Sequence, residues 1–129
     1  MTADETARIE QACARLIARY ANLNDAGDWD AVAALYAPDG RMARPTAPDA
    51  WIVGRDAIRA AFLARPARIT RHLCANIVVD VLDADTAVAE SAVALFVADA
   101  PVRVGGFHDR LVRIGDHWLF AERRGYLTF

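Results

Sequence analysis

Three residues of this 129-residue chain have types and surroundings suited to acid–base chemistry without a metal. His72 lies in a β-rich run where alternation puts His72, Cys74 and Asn76 on one face and Leu73, Ala75, Ile77, Val79 and Val81 on the other. That polar face is either the wet side of an open sheet or the wall of a half-apolar cavity in which one imidazole accepts a proton. Asp25 follows an amphipathic segment. It is either a turn residue or, if that helix crosses the sheet, a carboxylate that accepts the His72 ring proton, fixes its tautomer and favours the imidazolium. Arg123, within Phe120-Ala121-Glu122-Arg123-Arg124, can offer fixed positive charge to a developing oxyanion or departing anion. Alternation leaves open which arginine turns inward, because Trp118 and Phe120 share parity with Arg124, whereas Leu119 and Ala121 share it with Arg123.

Asp109 shares parity with Phe107 and Leu111 and reads as a second acid or a partner for an arginine. His108 and His117 suit exposed positions. Tyr20 reads as a core residue whose hydroxyl can reach a polar cavity.

These residues need elements to position them. Ile9, Cys13, Leu16, Ile17 and Tyr20 recur at helical spacing, which predicts an amphipathic helix over 4–24, with Asp25 just beyond it. Asp28 can cap a short second helix through Ala31, Val32, Leu35 and Tyr36, ended by Ala37-Pro38-Asp39-Gly40. Residues 41–45 and 51–53 read as short edge strands, and Gly54-Arg55-Asp56 opens a third helix that stops before Pro66. Long β-rich runs at 69–82, 86–97, 102–114 and 117–124 follow, broken by turn residues. The order predicts a single α+β domain, residues 1–129, with three N-terminal helices packed on one face of a curved antiparallel sheet.

Composition removes several alternatives. All fifteen cations are arginine against 17 acidic residues, a net charge of -2, so no basic field exists to hold nucleic acid. The absence of lysine excludes Schiff-base chemistry and phosphate loops of the Walker type. Ser91, the one serine, has no nucleophile elbow around it. Cys13 and Cys74 lack metal-ligand spacing and read as reduced thiols, and no signal-like or membrane-spanning run is present, so the expectation is a cytoplasmic protein without membrane association.

Residues 21–30 and 35–40, with Val53-Gly54-Arg55-Asp56-Ala57-Ile58, Arg71-His72-Leu73-Cys74-Ala75-Asn76, Gly106-Phe107-His108-Asp109 and Trp118-Leu119-Phe120-Ala121-Glu122-Arg123, resemble in order and spacing the SnoaL-like branch of the NTF2-like superfamily. The resemblance runs through nearly the whole chain and implies a cone-shaped fold enclosing a pocket. Its mechanistic side is similar to scytalone dehydratase and hexachlorocyclohexane dehydrochlorinase, whose Asp-His dyad matches Asp25 and His72. The dehydrochlorinase arginine that assists the leaving group matches Arg123. A lysine of that enzyme is replaced by Tyr20, and the second histidine of scytalone dehydratase meets the apolar stretch around Phe96 and Val97. The base aspartate of ketosteroid isomerase is replaced by Arg44, and the catalytic set of limonene epoxide hydrolase has no clear match.

The function expected is a cofactor-independent lyase, a dehydratase or other elimination enzyme, or a related isomerase, acting on a small hydrophobic molecule. Asp25, His72 and Arg123 form the catalytic set. Tyr20, Trp51, Phe62, Cys74, Asn76, Val78, Phe96, Phe107 and Asp109 are expected to contact the substrate, and no metal site is expected. The alternative is a non-catalytic binding or assembly module, similar to the small subunit of aromatic-ring dioxygenases. A broad outer face bearing Leu73, Ile77, Val79 and Val93 predicts a homodimer, with a trimer as the alternative.

Overall fold

The computed structural model describes residues 1–129. Helix α1 (Ala3–Ala26) opens with a capping box in which the Thr2 hydroxyl accepts from the Glu5 N–H at 3.1 Å and the Glu5 carboxylate accepts from the Thr2 N–H at 3.0 Å. It closes on Gly27, which at φ 70° turns the chain left-handed and donates its N–H back to the final helical carbonyls. The helix therefore continues past residue 24 and carries Asp25 inside its last turn rather than beyond it. A carboxylate there faces the negative end of the helix dipole, an unfavourable placement that needs compensation from elsewhere.

Asp28 caps α2 (Trp29–Ala34) through its carboxylate, which accepts from the Ala31 N–H at 3.2 Å. Leu35 ends α2 and Tyr36 already begins β1 (Tyr36–Ala43), so the turn expected at 37–40 lies inside a strand. Between Tyr36 and Arg41 the register with the neighbouring strand breaks, which accommodates Pro38, a residue with no N–H for the ladder. Gly40 sits against the backbone there, with a Cβ at this position only 2.9 Å from the Phe120 carbonyl oxygen. After β2 (Ile52–Val53) and α3 (Arg55–Leu63) come the long strands β3 (Thr70–Val81), β4 (Thr86–Val97), β5 (Arg103–Ile114) and β6 (His117–Leu127).

The strands form one curved, unclosed sheet in the order β2-β1-β6-β5-β4-β3. β1 is thus an interior strand, and its junction with β6 is parallel while every other pairing is antiparallel. The helices cover one face, burying Cys13, Leu16, Ile17, Val32, Ile58 and Phe62 against Met42, Leu111 and Phe120. No helix is long and apolar enough to cross a membrane.

Two bulges overturn the simple alternation of the sequence. On β3 the register slips between Ala75 and Val78, where Asn76 adopts φ 53°. One extra residue reverses the side-chain parity. His72 and Cys74 face the helices before the bulge, and Ile77 and Val79 face them after it, packed against the core. Ile77 and Val79 therefore do not belong to the outer face, and neither does the buried Val93. That face instead presents Leu73, Val78 and Phe96. The second bulge places an extra residue, Ala121, on β6 between pairings Arg110–Glu122 and Leu111–Phe120. Phe120 and Arg123, three positions apart, are consequently both buried while Arg124 is exposed, which answers the choice of arginine that alternation leaves open.

The left-handed position is testable. Asn76→Val should lower stability by about 1–2 kcal/mol or more, since a β-branched residue strains at positive φ, whereas Asn76→Gly should stay within about 1 kcal/mol of wild type in urea denaturation. Equal stability of the valine variant would show that the bulge is not held at residue 76.

Candidate active site

Between the helices and the inner sheet face lies a cavity of about 380 Å³. Tyr20 from α1, Phe62 from α3, Met42 from β1, Cys74 from β3, Val93 and Leu95 from β4 and Phe107 from β5 give it apolar walls, into which His72 and Arg123 project.

α1 crosses β3, so the end of its last turn reaches the start of that strand. There Asp25 receives three donors: the Thr70 hydroxyl at 2.9 Å, the His72 backbone N–H at 2.8 Å and the His72 ring at Nδ1, 2.5 Å away. These bonds offset the unfavourable helix-end position and leave the Asp25 side chain only 7% exposed. With the carboxylate as acceptor at Nδ1, a neutral imidazole carries its proton there and its open lone pair on Nε2.

Across the cavity the Arg123 guanidinium is 1% exposed and donates through Nε to Asp109 at 3.1 Å, a directly opposed residue on β5. Three aromatic faces enclose it, with ring centroids of Phe107, Tyr20 and Phe120 at 3.8, 4.4 and 4.8 Å from its central carbon. The pairing is incomplete. Arg123 Nη2 and Asp109 Oδ2 are both buried without a partner. Burial pushes the Asp109 carboxyl up to about 6 despite the opposing pull of Arg123, so it is still largely ionised near neutral pH. Burial works against the Arg123 charge, but Asp109 together with Tyr20, Tyr36 and Cys74 more than offsets it and the guanidinium stays cationic. Burial raises the Tyr20 phenol, keeping it neutral, with its hydroxyl 2.9 Å from that of Tyr36.

The structure brings Tyr20, Phe62, His72, Cys74, Phe107 and Arg123 to the cavity. Asp25 and Asp109 stand one layer behind, each holding one of the two polar groups. Four expected contact residues lie outside. Asn76 occupies the bulge, and Val78 follows it with reversed parity, 48% exposed. Phe96 falls on the outer face of β4 at 42% exposure, and Trp51 lies under the Arg41 guanidinium. His108 and His117 are exposed, as their positions suggested. Sequence reasoning passed over Thr70, Tyr36 and four more arginines on the cavity wall, Arg44, Arg65, Arg68 and Arg103. The repeated placement of arginine beside Pro45 and Pro66, in connections rather than elements, was the available signal.

A family model described as the SnoaL-like domain matches residues 5–124. Comparison with curated protein sequences finds no match. Among solved structures, a provisionally assigned scytalone dehydratase from Novosphingobium aromaticivorans superposes with a TM-score of 0.87 at 23% identity, over 99% of this chain and 89% of that one. A Mycobacterium tuberculosis protein of unknown function gives 0.87 at 27% identity, over 99% and 76%. A hexachlorocyclohexane dehydrochlorinase gives 0.85 at 12% identity, over 99% and 90%, a likeness of fold.

The Asp109 shift fixes the sign of a pH effect. Its carboxyl is raised from 3.8 to about 6 by burial, so the stability tied to its protonated form is complete below 3.8 and is lost as pH rises through about 6. Wild type should therefore gain stability relative to Asp109→Asn as pH is lowered across that window in parallel denaturation series. A relative loss would mean that the attraction of Arg123 outweighs burial.

Proposed function

The chain belongs to the SnoaL-like domain family, and we propose that it is a cofactor-independent lyase or isomerase in which Asp25 and His72 act together as the base. The observation that carries this reading is the buried carboxylate bonded to Nδ1 of an imidazole on the cavity wall, opposite an arginine with an unpartnered buried nitrogen.

In the elimination, His72 Nε2 takes a proton from a carbon of the substrate, the electrons of that C–H bond form the new double bond, and the group on the adjacent carbon leaves with its bonding pair. The Asp25 carboxylate stabilises the imidazolium as it forms. Arg123 faces the departing group with the Nη2 that lacks a protein acceptor, so negative charge developing there finds a donor already in place. A hydroxyl leaves as water once the imidazolium returns its proton to it. Isomerisation uses the same groups, with the proton returned to a different carbon. Tyr20 supports the site with its ring face against Arg123, and Phe62, Phe107 and Val93 hold the apolar body of the substrate.

The fold likeness to a provisionally assigned scytalone dehydratase and to a dehydrochlorinase supports elimination over a purely assembling role. With a panel of hydroxylated and halogenated substrates followed by chromatography, His72→Ala should lose about 10²–10⁴ of the turnover, the usual range for general-base help. Asp25→Asn should lose a comparable factor, through a misdirected tautomer. Equal turnover in wild type and His72→Ala would overturn the dyad mechanism. Retained ligand affinity with no turnover in either protein would favour the binding module.

We further propose a homodimer formed through the outer sheet face, where Leu73, Val78 and Phe96 are 52%, 48% and 42% exposed. Sedimentation at micromolar concentration should give a species of twice the 14.1 kDa chain mass, and Leu73→Arg should shift it to monomer. A wild-type monomer at that concentration would refute the dimer.

A further inference from the structure

The walls of the cavity carry an unbalanced charge. Five arginines line it, Arg44, Arg65, Arg68, Arg103 and Arg123, and no aspartate or glutamate does. This is a local excess, since the chain as a whole has a formal charge of -2. Of the ten arginines elsewhere, five meet a carboxylate, Arg41 and Arg110 at Glu122, Arg59 at Asp30, Arg113 at Asp85 and Arg124 at Asp49. In the cavity only Arg123 has a carboxylate, and it uses one nitrogen for it.

Of the remaining four, Arg68 and Arg103 are exposed, whereas Arg44 and Arg65 are partly buried at a cost. Arg44 donates one Nη2 bond to the Ala61 carbonyl at 2.9 Å and keeps Nε buried without a partner. Arg65 leans on the Phe62 ring, 5.4 Å from its centroid, and is held below the usual arginine range by burial and then by the charges of Arg68 and Arg44. Like charges gathered beside an apolar wall, with no counter-ion, are tolerated where the missing anion is a ligand. Arg123 adds an independent sign, a fully buried guanidinium whose Nη2 has no protein acceptor.

We infer that the substrate is an organic anion, an apolar body seated between Tyr20, Phe62 and Phe107 and a carboxylate or phosphate head held by Arg44, Arg65 and Arg68. The inference rests on this cavity being the reacting site proposed above, and it narrows the substrate from small and hydrophobic to small, apolar and acidic. Guanidinium forks match both oxyanions bidentately, so the head group is left to measurement. Fixing the head at the arginine cluster would also set which carbon of the body comes to His72.

The test is binding, which does not require turnover. Benzoate, naphthoate and phenylbutyrate are titrated into the full chain by calorimetry beside their neutral primary amides, with naphthyl phosphate added to compare heads. At least one acid should bind about tenfold tighter than its amide, as one charge-assisted contact allows, and added salt should erode the difference. The preference should fall to about threefold or less in Arg65→Gln/Arg68→Gln, with the acid losing more affinity than its amide. Arg44→Gln should act likewise, and if it unfolds by circular dichroism the Arg65/Arg68 variant decides. Tighter naphthyl phosphate than naphthoate would assign a phosphate head, and the reverse a carboxylate. The acid preference should persist in His72→Ala, so that failure of the dyad mechanism and failure of anion recognition are read separately. If no acid outbinds its amide on wild type, or if the preference is intact in Arg65→Gln/Arg68→Gln, the inference is wrong.

Discussion

The attachment of Asp25 to the start of β3 is the constraint around which the molecule is arranged. One carboxylate accepts a hydroxyl, a backbone N–H and an imidazole from residues 70 and 72, tying the last turn of α1 to the edge strand of the sheet. A helix end carrying an acid is electrostatically unfavourable in isolation, and the three donors convert that liability into a fixed crossing of helix and strand. The crossing roofs the cavity on one side, and it selects which imidazole nitrogen holds the proton. Fold and site chemistry thus depend on the same few hydrogen bonds.

The opposite wall is organised by a different device. A strand with regular alternation cannot bury both Phe120 and Arg123, because they lie three positions apart. The extra residue on β6 allows it, giving the core an aromatic ring and the cavity a cation from one strand. On β3 the corresponding bulge separates a polar beginning, His72 and Cys74, from an apolar continuation, Ile77 and Val79, on a single inner face. Bulges of this kind let a sheet change from lining a site to packing a core without changing strands.

Charge is distributed on the same plan. Outside the cavity five arginines meet carboxylates, whereas within it Arg123 is half-satisfied by Asp109 and the rim arginines have none. A buried ion pair with one open nitrogen and one open oxygen is a poor stabilising feature. It is nevertheless a preorganised one, because neither partner must be desolvated again when a ligand arrives.

Much of the architecture was readable from the residues alone. Helical spacing, the turn residues between strands and the four long β-rich runs all express local preferences, and local preferences are written in contiguous residues. The order of short motifs likewise marked the family and singled out Asp25 and His72, whose contact the structure shows. What alternation could not supply was anything downstream of a bulge. Asn76 and Val78 were placed toward the cavity and lie outside it, and the burial of Arg123 over Arg124 was undecidable, whereas Phe96 lies outside without any bulge because Val93 and Leu95 set the inward parity of β4. A bulge is stabilised by pairing with the neighbouring strand, and a one-residue slip leaves no local trace beyond an asparagine that tolerates positive φ. The strand character of 36–40 escaped for a related reason, since Pro38-Asp39-Gly40 signals a turn until a parallel partner in β6 holds the segment extended, whereas the strand at 41–43 was read. The gathering of five arginines from four separate segments around one void is a property of the folded chain, because nothing in a string of residues tells a cation which others it will meet.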